Sequence, residues 1–105
     1  MKRDIVIIPF PFSDLSGSKR RPALVIADWD AEDIILCQIT SKTKFDGNQV
    51  ELNKADFETG NLPVESNIRP NKIFTAQRSI IISIVGKLSA TKYVDVVQKI
   101  TKLIS

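Results

Sequence analysis

The sequence contains no histidine and a single cysteine, and both shortages exclude classes of chemistry. Without histidine the chain lacks the commonest general base near neutral pH, so catalysis by a Ser-His-Asp or Cys-His arrangement is excluded. The one cysteine, Cys37, cannot form an intramolecular disulfide, and a cysteine–histidine zinc site lacks its ligands. We therefore expect a protein of a reducing compartment that uses no metal and no cofactor.

Long hydrophobic runs are also missing. The apolar stretch at residues 5–12 is broken by Pro9 and Pro11, and the run at residues 80–85 is interrupted by Ser83. Neither run is long enough for a membrane span or for the hydrophobic part of a signal peptide. The chain has 105 residues, of which 43% are hydrophobic and 26% charged, which is an ordinary globular composition. We expect a single domain over residues 1–105 that is soluble and cytoplasmic, with no membrane partner.

Acidic residues are absent from residues 66–94, although they are crowded into residues 28–33. The net charge of +3 decides nothing by itself, but its distribution is uneven. This distribution fits either a solvated surface with patchy charge or a face that binds an anionic ligand. The acid-free segment carries five cations: Arg69, Lys72, Arg78, Lys87 and Lys92.

Short runs rich in β-branched residues dominate the chain and predict strands. They lie at residues 5–8, 23–26, 34–39, 49–52, 73–75 and 79–85. No long helical pattern separates them, so we expect mainly antiparallel pairing. Asp46-Gly47-Asn48 predicts a tight hairpin, and Pro70 marks a turn in the later chain.

One helix is predicted at the C-terminal end of the chain. Ser89 is a suitable N-cap, and apolar residues from Tyr93 to Ile104 follow the i, i+3, i+4 spacing of an amphipathic helix. A second, short helix is a weaker possibility at residues 53–58. Together these elements predict a small, strongly curved β-barrel or two-layer sheet closed by the helix. A homodimer would cover its edge strands and its poorly covered face.

Three consecutive cations precede the second strand, and the last of them is the most informative. We expect Lys19 and Arg20 to project from the loop, whereas Arg21 is held by Pro22 and the rigid strand that follows. A guanidinium on a rigid element offers planar, bidentate donors for phosphate. The alternative is a solvated cluster that keeps the loop soluble.

Hydroxyl side chains end the third strand, and aromatic side chains end the first. Thr40 and Ser41 can hydrogen-bond a phosphate or can simply form a turn. Phe10 and Phe12 can stack on bases, although packing in the core is the commoner role. Cys37 lies in mid-strand, where we expect it to belong to the core.

Seven short motifs then occur in order along the chain: DIV at 4–6, PFPFSD at 9–14, RPALVI at 21–26, ITS at 39–41, NLP at 61–63, SNIRPNKIFT at 66–75 and VGKLS at 85–89. Their order and spacing resemble the MazF/PemK family of toxins from bacterial toxin–antitoxin operons. The resemblance extends over nearly the whole chain. It implies a mainly β fold, an SH3-like small β-barrel with a C-terminal helix, built as a homodimer.

The resemblance also implies an activity and a partner. The family's toxins are sequence-selective endoribonucleases that cut single-stranded RNA, above all mRNA, and so inhibit translation and growth. A cognate antitoxin, which we expect to be acidic, silences them by occupying the RNA groove. The family's catalytic arginine and threonine map onto Arg21 and Thr40, and we expect the adjacent Ser41 to belong to the catalytic set as well. We expect the RNA to be bound by Phe10, Phe12, Ser13, Asp14, Lys19, Arg20, Lys42, Arg69 and Lys72.

Two departures from the family pattern concern the acid–base residue. Many members have an acidic residue in the loop before Arg-Pro, where this chain has Ser16-Gly17-Ser18. Some also have an aspartate in the later strand, where this chain has Ser66-Asn67-Ile68-Arg69. Asp14 is the nearest acidic candidate, but it suits an Asx turn equally well. The alternative function is that of a non-catalytic binding protein on the same scaffold, either an inactive homologue or a gyrase inhibitor. Gyrase inhibitors end in Trp-Gly-Ile, whereas this chain ends in Leu103-Ile104-Ser105.

Overall fold

The structure is a computed structural model that describes residues 1–10, 19–28, 30–41 and 47–105. The described residues form one antiparallel sheet in the order β4-β6-β3-β2-β1-β7-β5, curled into a half-barrel, and one helix. The predicted mainly β fold with a C-terminal helix is therefore confirmed. The elements are β1 (Asp4–Phe10), β2 (Lys19–Ala27), β3 (Asp33–Thr40), β4 (Val50–Leu52), β5 (Phe57–Gly60), β6 (Ser66–Gln77), β7 (Ser83–Leu88) and α1 (Ala90–Ile104), with 3₁₀ turns at Lys54–Asp56 and Arg78–Ile80.

Both faces of the sheet carry buried apolar side chains. Continuous apolar runs, rather than strict alternation, make this possible in β1, β2 and β3. The face that packs against α1 is called the helix face, and its cluster comprises Ile5, Leu24, Cys37, Ile39, Val50, Leu52, Ile68, Leu88 and, from α1, Val96. The other face is called the far face, and its cluster comprises Val6, Ile8, Ala23, Val25, Ile34 and Leu36, with Phe74, Ile80 and Ile81 packed against it.

Helix α1 begins where the sequence predicts it to begin. The Ser89 hydroxyl accepts a hydrogen bond from the backbone N–H of Lys92 at 3.2 Å, which is N-cap geometry. The Tyr93 hydroxyl donates to the backbone oxygen of Ile26 at 2.6 Å and ties the helix to β2. Burial raises the pKa of Tyr93, so its hydroxyl remains a donor at neutral pH. Helix α1 thus packs against the helix face of the sheet, whereas the far face has its own cluster of buried side chains.

Strand β6 differs most from the prediction. Its register against β3 jumps from the pair Gln38–Arg69 to the pair Cys37–Ile73, so residues 70–72 form a bulge inside a continuous strand. The turn predicted at Pro70 was wrong, because a bulge tolerates a residue that has no N–H to donate. The bulge interrupts the pairing of β6 with β3, next to the part of the sheet that holds the site.

Three smaller predictions were also wrong or only partly right. Gly47 has a positive φ of 84°, but β3 and β4 do not form a hairpin, since β6 lies between them in the sheet. The weak helix at residues 53–58 is a 3₁₀ turn followed by β5. The strand predicted at residues 79–85 is divided into a 3₁₀ turn and β7.

Among the described residues, no helix has the length and apolar character that crossing a membrane requires.

Candidate active site

Arg21 lies on the far face of the sheet, at the beginning of β2. It pairs with Ile8 of β1, which belongs to the far-face cluster. Its side chain is half-buried, and its Nε is buried with no hydrogen-bond partner among the residues that the structure describes. A buried donor without a partner costs free energy, and an anionic ligand such as phosphate would supply the missing acceptor.

Thr40 is the neighbour of Arg21 on the next strand. The register of β2 against β3 ends at the pair Ala23–Gln38. Arg21 lies two residues before Ala23 and Thr40 two residues after Gln38, so the two predicted catalytic residues lie at the same end of neighbouring strands. Because side chains alternate along a strand, both belong to the face that carries Ala23 and Gln38. Thr40 in turn pairs with Asn67, and Asn67 pairs with Glu51. We call Arg21, Thr40, Asn67 and Glu51 the Thr40 row.

Arg69 and Lys72 occupy different positions relative to this row. Arg69 lies opposite Gln38, two residues along β6 from Asn67, and is therefore a diagonal neighbour of Thr40 on the same face. Diagonal neighbours have backbones about 7–8 Å apart, which is within reach of an arginine side chain. Lys72 is an exposed residue of the β6 bulge. Arg69 thus adds a second guanidinium beside Thr40, and Lys72 adds a cation at the periphery.

Ser41 lines a cleft at the end of the sheet, together with Ile39 of the helix face. Ser41 directly follows the last residue of β3, and the cleft has a volume of about 270 Å³. The cleft has cationic, hydroxyl and apolar walls, formed by Ile7, Lys19, Arg20, Arg21, Pro22, Ile39, Ser41, Leu62, Pro63, Val64 and Ser66. Arg21 therefore belongs both to the Thr40 row and to the wall of this cleft.

Five predicted site residues cannot be placed in this arrangement. Phe12, Ser13, Asp14 and Lys42 lie outside the residues that the structure describes. Phe10 ends β1, where its backbone pairs with Lys19, but its side chain also lies outside that description. Their assignment to RNA binding stays a prediction from the sequence.

The remaining polar candidates have structural roles. Cys37 is fully buried, and burial raises the pKa of its thiol to about 12, so it is not a nucleophile at neutral pH. In the acidic β2–β3 turn, the Asp30 carboxylate accepts the backbone N–H groups of Glu32 and Asp33, both at 2.7 Å, which lowers its pKa. Within the described ranges, no three carboxylate or cysteine side chains come close enough to hold a metal ion.

Asn67 belongs to the motif at 66–75, but the sequence predicted no role for it, and it predicted no site role for Glu51 or for the loop at residues 61–65. Cross-strand neighbours depend on a register between distant segments, which no local pattern reveals. Glu51 also places an exposed carboxylate in the same row as the cation Arg21. The only local hint was the Ser66-Asn67 pair, a polar interruption at the start of a long strand.

A family model matches almost the whole sequence of this chain. Residues 1–104 match the PemK-like, MazF-like toxins of type II toxin–antitoxin systems. The chain belongs to this toxin family. The family predicted from the order of motifs is therefore confirmed, and with it the role of the chain as the toxin component of such a system. No curated protein matches the toxin by sequence.

Solved structures share the fold of this toxin at low sequence identity. MazF in the Deinococcus radiodurans MazE–MazF crystal structure (form II) has a TM-score of 0.79 and 21% identity, covering 98% of this chain and 93% of that chain. A mycobacterial endoribonuclease in complex with its cognate antitoxin has a TM-score of 0.76 and 12% identity, and the match covers 99% of this chain and 93% of that chain. The Mycobacterium tuberculosis toxin MazF-mt6 has a TM-score of 0.73 and 16% identity, and the match covers 97% of this chain and 96% of that chain. At these identities the likeness establishes the fold of the sheet and helix.

Proposed function

We propose that this toxin is an endoribonuclease and that Arg21 and Thr40 form its catalytic pair. The observation that carries the proposal is their position at the same end of the neighbouring strands β2 and β3, on one face of a toxin-family fold. The mycobacterial relatives of the same fold are themselves called endoribonucleases.

RNA supplies its own nucleophile, so this pair is sufficient for most of the chemistry. The 2′-hydroxyl oxygen attacks the adjacent phosphorus, the bond from phosphorus to the 5′-oxygen breaks, and a 2′,3′-cyclic phosphate and a 5′-hydroxyl result. The proton lost by the 2′-oxygen is balanced by the one that the leaving 5′-oxygen gains. Arg21 would neutralise the charge that develops on the phosphoryl oxygens, and Thr40 would donate a hydrogen bond to one of them. Ser41, which lines the cleft, is better placed to contact the RNA there.

The cations around this pair suit a single strand of RNA. Arg69 lies on the same face as Thr40, while Lys19 and Arg20 line the cleft on the other side of Arg21. Single-stranded RNA is held by such cations along its backbone and read through its unstacked bases. We infer that mRNA is the substrate and that selectivity for a short sequence arises from the loops. Phe10, Phe12, Ser13, Asp14, Lys42 and Lys72 complete the proposed RNA-binding set.

The regulatory partner of this toxin is proposed to be an acidic cognate antitoxin. Structures of the same fold contain MazE in the Deinococcus complex and a cognate antitoxin in the mycobacterial one. An acidic, otherwise disordered segment would match the cations that hold the RNA and would fold on binding. We further propose that the toxin acts in the cytoplasm as a homodimer of one-domain chains. Ile82 and Ile84 support the dimer, because both are large apolar side chains that are about half exposed, at 44% and 56%.

Incubation of the purified protein with long single-stranded RNA in millimolar EDTA tests the activity. We expect cuts at a defined short sequence, with 5′-hydroxyl ends, because the chain has no histidine and the described part of the proposed site has no cluster of carboxylates that could hold magnesium. Mapping the new 5′ ends identifies both the chemistry and the sequence. Cleavage that depends on added magnesium would contradict the mechanism, and intact RNA would favour a non-catalytic binding protein.

Competition between RNA and antitoxin tests the shared surface. We expect the acidic protein encoded next to this gene to displace a labelled RNA that carries 2′-deoxyribose at its cleavage site. Association should slow as salt rises, because opposite charges steer the encounter. Lys19→Glu combined with Arg20→Glu should weaken both ligands together. The matched control reverses the charges of Lys99 and Lys102 of α1 and should weaken the binding of neither RNA nor antitoxin. Simultaneous binding of RNA and antitoxin would show that they use separate surfaces.

A further inference from the structure

Asn67 is a buried polar residue in the middle of the Thr40 row. Its exposed fraction is 5%, and within the described ranges only it and Ser66 are polar residues buried to this degree. The burial of Ser66 has a local reason, since its hydroxyl donates to the backbone oxygen of Val64 at 3.0 Å in the loop beside the cleft. Burying an amide costs free energy that an apolar side chain at the same position would not incur. The position of Asn67 therefore calls for a reason other than packing.

The register supplies that reason. Asn67 lies directly opposite Thr40, and directly opposite side chains in an antiparallel pair have Cβ atoms about 4.5–5.5 Å apart. An amide offers two N–H donors and a carbonyl acceptor, whereas a threonine hydroxyl can accept one hydrogen bond and donate another. Arg21 lies on the same face at the same end of the neighbouring strand β2, so the strands on the two sides of Thr40 carry a neutral amide and a guanidinium. Neither neighbour is an anion that would draw the hydroxyl proton away from a phosphate. The carboxylate of Glu51 lies opposite Asn67 on β4, one strand further from Thr40.

We propose that Asn67 is a positioning residue that orients the Thr40 hydroxyl. The Nδ2 group of Asn67 donates to Oγ1 of Thr40, which leaves the hydroxyl proton of Thr40 directed at a phosphoryl oxygen of the RNA. Asn67 does not touch the substrate in this arrangement; it acts through Thr40. The inference rests on the proposed endoribonuclease function and adds to it a role for Asn67, a residue of the motif at 66–75 to which the sequence assigned no function.

Asn67→Asp is the informative substitution, because it preserves shape and reverses the hydrogen bond. The introduced carboxylate accepts the Thr40 proton at neutral pH and turns it away from the phosphate. We expect kcat at pH 7.5 to fall about tenfold to a hundredfold, the effect of losing one hydrogen bond to a charged group, with a smaller change in KM. As pH falls through the pKa of the introduced carboxyl group, its protonated form can again donate to Thr40, so the loss relative to wild type should shrink. The matched control, Asn53→Asp at an exposed position, makes the same charge change and should follow the wild-type pH profile.

A double-mutant cycle separates positioning from a merely structural role. Asn67→Ala should lower kcat in the wild-type background but have little further effect in a Thr40→Val background, since the group that it orients is then missing. Circular dichroism and thermal melting of each variant show whether it is folded. Additive effects, or an Asn67→Asp pH profile parallel to that of the wild type, would overturn the positioning role and leave the proposed function intact. A wild-type protein that leaves RNA uncut would overturn the proposed function and this inference with it.

Discussion

Arg21→Lys is expected to slow RNA cleavage by about a hundredfold to a thousandfold, which corresponds to about 2.7–4 kcal/mol of lost transition-state stabilisation. Lysine preserves the positive charge but not the planar pair of donors, so it cannot hold two phosphoryl oxygens at once. The position of Arg21 makes this loss hard to repair, because Pro22 and the pairing with Ile8 fix its backbone next to Thr40. Single-turnover cleavage of a defined oligonucleotide measures the change in the chemical step.

The same substitution at Arg78 is the matched control. Arg78 lies near the start of β3, at the opposite end from Thr40, and its Nη2 donates to the backbone oxygen of Asp30 at 2.8 Å. Arg78→Lys should leave the cleavage rate within about twofold, a change worth less than about 0.5 kcal/mol. Wild-type rates from a folded Arg21→Lys protein would remove Arg21 from the catalytic pair. Equal losses at both positions would indicate that general destabilisation, rather than chemistry, slows the enzyme.

Gly60→Ala is expected to lower the free energy of unfolding more than the addition of a methyl group at Gly47. Gly60 has a φ of 70°, where an L side chain costs about 1–2 kcal/mol. An added Cβ would also collide with the backbone oxygen of Val85 and lie 2.7 Å from Cα of Gly86, the pairing partner of Gly60 on β7. Overpacking of this kind costs about 1–3 kcal/mol more, so we expect a total of about 2–5 kcal/mol. Urea unfolding should show a lower midpoint with an unchanged slope.

Gly47→Ala separates the cost of a positive φ from the cost of the steric clash. Gly47 has a φ of 84°, but in the described part of the chain an added Cβ meets no atom within 4 Å. This control therefore carries the backbone penalty alone and should cost about 1–2 kcal/mol. If the two substitutions were equally destabilising, the close approach of β5 and β7 would not matter to stability. Since small domains are stable by only about 5–15 kcal/mol, the expected difference is easily measured.

Local patterns in the sequence determined the elements whose causes are local. Helix α1 was predicted from its Ser89 N-cap and its apolar spacing, and β1 to β3 from their β-branched runs. The absence of histidine excluded the common catalytic arrangements, and the rigid Arg21-Pro22 step and the hydroxyl of Thr40 were recognised as candidates. These features depend on neighbouring residues and on short-range propensity, so a single sequence is enough to reveal them.

Only the tertiary structure decided the features that depend on pairing between distant segments. The bulge at residues 70–72 lets β6 continue through Pro70, and the insertion of β6 between β3 and β4 replaces the predicted hairpin. The same register places Asn67 opposite Thr40 and Glu51 beyond it, although these residues are far apart in the sequence. A strand's side chains repeat every two residues, so a shift of one residue would have sent Thr40 to the helix face and separated it from Arg21. The sequence by itself determined which chemical groups the toxin has, and the register of the sheet decided which of them meet.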